Sequence, residues 1–276
     1  MWRKGNSTAL LLLPLLRALK AGQSVHEIGP TWHNSKVGTP LMGGLMFIAA
    51  AVICLLVNLF TVQNYTVYFT LGFALCFALI GFLDDFCKVK FKRELGLTAF
   101  QKMALQMVVA AIYLYILFKR GDMSTDLYIP FVRNPIPNIH PILYIFFAMF
   151  VMVGADNAVN LTDGVDGLCA SVTIPVMVFF TAASIAMGRF DLAILPASLV
   201  GGLIAYLFYN WHPAKVFMGD TGSLFLGGCV CALAFALDMP IVLILVLIPQ
   251  FGAAGAAAAT SAAELVVLVV QLQQVL

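Results

Sequence analysis

Nine long, mainly apolar stretches dominate this sequence, at approximately 7–20, 41–61, 66–83, 101–118, 141–155, 168–187, 192–209, 223–237 and 240–270. A helix needs about 20 such residues to cross a bilayer. Hydrophobic residues fill 62% and charged residues 10% of the 276 positions, against roughly 25% charged in an ordinary soluble domain. With a mean hydropathy of +0.99, too few polar side chains remain to cover a water-exposed surface. The solvent for most of the chain is therefore lipid. The expected fold is all-α, a polytopic integral membrane helical bundle of about nine spans in a single transmembrane domain covering 1–276. A net charge of +2 excludes a strongly basic nucleic-acid binder.

The first stretch flows into Arg17 and Lys20 without a small-residue cleavage site, so it reads as a short membrane helix and not as a signal peptide. Six scattered cysteines with no CxxC pair read as small apolar packing residues. Spans of alternating direction place 21–40, 84–100, 156–167 and 210–222 on one side. Nine Lys and Arg lie near that side and six opposite, which makes it cytoplasmic by the positive-inside rule. Glu27, Asp84, Asp85, Glu94, Asp156, Asp163, Asp166 and Asp220 share this side, whereas Asp122, Asp126, Asp191 and Asp238 lie opposite. Acidic residues hardly affect orientation. Their concentration on one face asks for a chemical cause.

In Gly81-Phe-Leu-Asp84-Asp85-Phe-Cys-Lys88, two adjacent carboxylates end an apolar run. Side by side at a membrane boundary they repel, unless a cation sits with them. A divalent metal such as Mg²⁺, shared with a substrate phosphate, would meet that need. The alternative is a helix end in the headgroup region, paired with Lys88 and Lys90. In Asp156-Asn157-Ala-Val-Asn160-Leu-Thr-Asp163-Gly164-Val-Asp166-Gly167, oxygen-bearing side chains recur every third residue, so a helical or tightly turned stretch presents them on nearly one face. An ordinary Asn, Asp and Gly turn does not predict that spacing.

Phe217-Met-Gly219-Asp220-Thr221-Gly222-Ser223 leads into another apolar run. Its glycines and hydroxyls suit an anion-binding helix N-terminus, and Asp220 or Thr221 could equally cap a helix starting near Ser223. Ser35-Lys36-Val-Gly-Thr-Pro40-Leu41-Met-Gly43-Gly44 enters the second span, with Pro40 suited to a helix start and the glycine pair to close packing. Lys36 either holds a phosphate or snorkels at the interface. Gly201-Gly202 with Ala205 form a small-residue pattern that can pack helices within one protomer or between the copies of a homodimer. No GxSxG, SxxK or Walker loop is present, and the four histidines lack metal-ligand spacing.

Carboxylates on three loops at one face, with lysines and glycine-rich turns beside them, suit phosphoryl transfer at a membrane surface with one lipidic substrate. The four motifs, Lys36 to Gly44, Asp84-Asp85-x-x-Lys88, Asn157-x-x-Asn160-x-x-Asp163-Gly-x-Asp166-Gly and Met218-Gly-Asp220-Thr-Gly-Ser223, closely resemble the polyprenyl-phosphate N-acetylhexosamine-1-phosphate transferases. The TPLMGG and GDTGS wording favours the phospho-N-acetylmuramoyl-pentapeptide transferase branch over the N-acetylglucosamine-phosphate branch. The resemblance runs from about Gly29 to Gly228. It implies a ten-span fold in the bacterial inner membrane with the active site facing the cytoplasm. The implied reaction moves phospho-MurNAc-pentapeptide from UDP-MurNAc-pentapeptide to undecaprenyl phosphate with Mg²⁺, giving lipid I and UMP in peptidoglycan synthesis.

Carried over by motif position, Asp220 would hold the metal, with Asp84 and Asp85 at the polyprenyl phosphate and the reacting phosphorus. Asn160 and Asp163 would support the pyrophosphate, and Lys88 and Lys102 would steady phosphates. Lys36, Asn157, Gly164, Asp166 and Phe217 would bind substrate, chiefly at the uridine. The sequence departs from the family at Leu41, where Thr is usual. A histidine-rich loop and a tenth span should follow the ninth, and the sequence ends at Leu276 after an Ala/Gly-rich stretch over 252–263. Among other classes, a transporter would need ionisable groups along an ion path, and only Glu264 lies well inside an apolar stretch.

Overall fold

The computed structural model describes residues 39–62, 64–91, 96–127, 137 and 139–243. Among them the chain forms seven helices: α1 (Leu45–Val57), α2 (Thr66–Phe91), α3 (Ala99–Arg120), α4 (Pro141–Thr162), α5 (Leu168–Ala186), α6 (Phe190–Asn210) and α7 (Gly219–Ala236). No strand occurs among the described residues. Six of the helices are long and apolar enough to cross a membrane, and α1, at 13 residues, is shorter. The first apolar stretch, Lys36 and nearly all of the ninth stretch lie outside the described residues.

Helix α7 is the axis of the bundle, because every residue from Gly219 to Ala236 is buried except Asp220. Its small residues (Gly227, Gly228, Ala232, Ala234) let neighbouring backbones approach closely, the usual basis of helix association in lipid. Helix α2 packs along it most extensively and α4 flanks it, while α1 and α5 pack on α6. Large apolar side chains on the outside, such as Leu79, Phe86, Phe146, Phe150 and Phe208, are exposed. A bundle that is apolar both inside and outside is built for lipid. Local signals set helix ends. Thr98 and Gln101 form a capping box at the start of α3, which stops at left-handed Gly121, and Pro141 opens α4.

Three expectations about boundaries change. The stretch 41–61 yields a helix only from Leu45, and Pro40 does not start it. Residues 40–44 instead pair with the segment before α7, through Phe217 N to Pro40 O at 2.9 Å, Gly43 N to Phe217 O at 2.8 Å and Gly44 N to Met218 O at 3.2 Å. Helix α2 runs on through Asp84, Asp85 and Lys88 to Phe91, and α4 runs through Asp156, Asn157 and Asn160 to Thr162. These residues were expected in loops. They remain helical because their polar groups find partners inside the bundle. Of the cysteines, Cys169, Cys229 and Cys231 are buried as packing residues, whereas Cys76 is exposed on the outer face of α2.

Candidate active site

The last turns of α2, the first turn of α3 and the first turn of α7 meet at one end of the bundle. One oxygen from each of Asp84, Asp85 and Asp220 lies within 4.8 Å of the others. Asp84 and Asp85 are each 1% exposed, and like charges this close, away from water, require cations. Two lysines supply them. Lys88 Nζ lies 2.5 Å from Asp84 Oδ2, 3.2 Å from Asp220 Oδ2 and 4.0 Å from Asp85 Oδ1. Lys102 Nζ lies 2.5 Å from Asp220 Oδ2 and 3.6 Å from Asp84 Oδ1. The backbone N–H of Leu97 donates to Asp84 Oδ1 at 2.8 Å.

Asp85 has a different set of partners. Met218 gives α7 no side-chain cap, and the exposed N–H groups of a helix start need acceptors. Asp85 provides them from α2. Its Oδ1 accepts from Asp220 N at 3.2 Å, and its Oδ2 accepts from Thr221 N at 2.9 Å and Thr221 Oγ1 at 2.7 Å. The anion expected at this glycine-rich helix start is thus the protein's own carboxylate. The expectation that Asp220 or Thr221 caps a helix from Ser223 is corrected: the helix begins at Gly219, and the cap arrives from another helix. Close approach makes this arrangement possible. A methyl group on Gly81 would run into the Asp220 carbonyl, and Gly219, at φ +68°, faces the Asp85 carboxylate.

Two of the residues spaced by three on α4 bond to neighbouring helices. Asn160 Oδ1 accepts from Ser223 Oγ of α7 at 3.0 Å, and Asn157 Nδ2 donates to Gln106 Oε1 of α3 at 3.0 Å. Asp163 stands at the C-cap of α4, outside the carboxylate triad, and Gly164 is exposed in the turn that follows. Asp166 Oδ2 accepts from Ala214 N at 3.2 Å and lies 3.0 Å from His212 Nδ1. It ties the α4–α5 turn to the segment carrying Phe217, which is half-buried. Sequence reasoning missed Gln106, a glutamine within an apolar stretch four residues after Lys102, and did not single out Asp156, to which it donates at 2.7 Å.

The donor set fits a hard divalent cation, which prefers carboxylate oxygen and retains water. Asp220 is the most open of the three carboxylates, with 18% of its side chain exposed against 2% and 1% for Asp84 and Asp85. Carboxylates that can hold a metal, beside lysines that can hold phosphate, form a site suited to phosphoryl transfer.

Comparison with known proteins matches this framework. A profile of glycosyl transferase family 4 covers residues 66–238, from the start of α2 to just beyond α7. The chain is 46% identical over 237 residues to a phospho-N-acetylmuramoyl-pentapeptide-transferase of Thermoanaerobacter sp. (strain X514), covering 86% of this chain and 73% of the relative. It is 42% identical over 236 residues to the enzyme of that name from Clostridium acetobutylicum, with coverage of 86% and 73%. For that of Geobacillus sp. (strain WCH70) the identity is 41% over 238 residues, with coverage of 86% and 72%. The chain belongs to the phospho-N-acetylmuramoyl-pentapeptide transferases of glycosyl transferase family 4.

Proposed function

We propose that this protein transfers phospho-MurNAc-pentapeptide from UDP-MurNAc-pentapeptide to undecaprenyl phosphate, forming lipid I and UMP at the cytoplasmic face of the bacterial inner membrane. The observation that carries this reading is the Asp84, Asp85 and Asp220 triad interlocked with Lys88 and Lys102 at one end of a lipid-facing bundle. The excess of Lys and Arg near that end supports the cytoplasmic orientation.

In the transfer, an oxygen of the lipid phosphate attacks the β-phosphorus, the bond from that phosphorus to the bridging oxygen breaks, and UMP leaves with the bonding electrons. The proton of the lipid phosphate passes to Asp84. The partners of Asp85 are helix amides and a hydroxyl, fixed in place by the fold. Those of Asp84 include two flexible ammonium groups that can swing to an incoming phosphate. Asp84 is therefore the carboxylate that can be released for proton transfer, and Asp85 is the one that orients Asp220. Mg²⁺ held by Asp220 would neutralise charge on the departing UMP. Asn160 and Asp163 support the pyrophosphate, Lys36, Gly164, Asp166 and Phe217 serve the uridine end, and Asn157 belongs to the same substrate-binding set. In a homodimer, the second copy would meet the outer face of α6 at Gly201, where an added methyl contacts nothing within 4 Å.

The test is UMP release by the purified protein given both substrates. Release should require undecaprenyl phosphate and Mg²⁺, and Asp220→Ala should lower the rate by about 100-fold or more, the scale of losing a group that stabilises transition-state charge. UMP release without the lipid phosphate would overturn the reading. Full activity of Asp220→Ala at saturating Mg²⁺ would overturn the metal assignment.

A further inference from the structure

Below the lysine–carboxylate cluster lies a second polar group that no apolar packing requires. Gln106 and Asp156 are both 0% exposed. Gln106 Nε2 donates to Asp156 Oδ2 at 2.7 Å, and Gln106 Oε1 accepts from Asn157 Nδ2 at 3.0 Å. Both ends of one amide are thus engaged by consecutive residues of α4. Asn157 is itself anchored, donating to Val153 O at 2.7 Å. Asp156 Oδ1 accepts no hydrogen bond and faces Gly227 of α7, and the carboxylate is within electrostatic reach of Lys102 and Asp220. Gln106 stands four residues after Lys102, one turn along the same face of α3.

We propose that Gln106 is a positioning residue for the reaction. By plugging into Asp156 and Asn157 it fixes the rotation and height of α3, and so holds the Lys102 ammonium between Asp220 and Asp84. A buried amide is directional: shifting α3 along α4 or turning it breaks both hydrogen bonds at once and leaves their groups unsatisfied. An apolar side chain of the same size would fill the space without specifying that register. Helix α3 has the lowest proportion of buried residues among the six long helices, so this plug supplies a constraint that packing alone does not.

This inference rests on the proposed transfer reaction for its kinetic consequences, and its primary test does not use activity. The full chain is treated with an amine-acylating reagent, and modification of each lysine is followed by peptide mass spectrometry. In Gln106→Met, Lys102 should be acylated at least threefold faster than in the unsubstituted protein, while Lys88, anchored from α2, and exposed Lys215 stay within 1.5-fold. In the UMP-release assay, kcat should fall about tenfold with the nucleotide-substrate KM within twofold. That loss should shrink to within twofold when Gln106→Met is combined with Lys102→Arg, since residues acting through one another are not additive. Gln106→Asn, which keeps an amide, serves where Gln106→Met gives no folded protein. Unchanged Lys102 acylation, equal acceleration at Lys88, or failure of both variants to fold would overturn the proposal. Absence of UMP release by the unsubstituted protein would instead count against the transfer reaction.

Discussion

Thr221→Val isolates the bond by which α2 holds the start of α7. Valine keeps the shape of threonine and deletes the hydroxyl that donates to Asp85 Oδ2 at 2.7 Å. Both residues are 1% exposed, so water does not replace the lost donor. A hydrogen bond to a charged group contributes about 1.5–3 kcal/mol, and about 2 kcal/mol is roughly 30-fold in an equilibrium or rate constant. The N–H groups of Thr221 and Asp220 remain on the carboxylate at 2.9 and 3.2 Å, so the cap weakens without vanishing. We expect kcat for UMP release to fall about 10- to 30-fold and the melting temperature in detergent to drop by several degrees. Thr221→Ser keeps the hydroxyl and should stay within about threefold of the unsubstituted rate. Equal rates and melting temperatures for Thr221→Val and the unsubstituted protein would refute the capping role.

Gly81→Ala forces a methyl group into the Asp220 carbonyl, and overpacking of this kind costs about 1–3 kcal/mol. UMP release should fall at least about tenfold, while Gly72→Ala on the same helix, with open space around the added methyl, should leave rate and melting temperature unchanged. At the other end of α7, burial pushes the Asp238 carboxyl above its ordinary value, opposed by the hydrogen bond from Ser124. A carboxyl raised in the fold destabilises it at neutral pH, and that cost is relieved as pH falls through the folded value towards the unfolded one. Asp238→Asn, at a left-handed position (φ +58°) that asparagine tolerates, should therefore melt higher than the unsubstituted protein at pH 7–8. The difference should disappear near pH 4. A constant difference across this range would contradict the assignment.

The membrane bundle was legible because it depends on composition and on the length of apolar runs, which the chain carries openly. The site was legible as a set of motifs. Their residues were expected in loops because Asp84, Asp85, Asp156 and Asn157 are polar, and polarity alone signals the edge of a span. What the sequence could not show is that each finds a partner on another helix: Asp84 on Lys102, Asp85 on the first turn of α7, Asp156 and Asn157 on Gln106. Pairing across helices offsets much of the cost of burial and lets the helix continue. Gln106 stayed hidden for the same reason, since one amide in an apolar run is silent until its neighbours are known. The short α1 was equally out of reach, because residues 40–44 leave the helix to bond the backbone at 217–218.

The lysine–carboxylate cluster also has an electrical balance. With all five groups ionised, three carboxylates and two ammonium groups leave one negative charge in excess. A divalent cation arriving alone would reverse that sign and displace a lysine from its acid, whereas a phosphate arriving alone would deepen the excess and pull a lysine from its acid. Arriving together, each takes the partner the other has freed. Metal and phosphate should therefore tighten each other's binding by a common factor, as linkage requires. On this charge count the cluster would take up metal and phosphate more readily as a pair than either one alone.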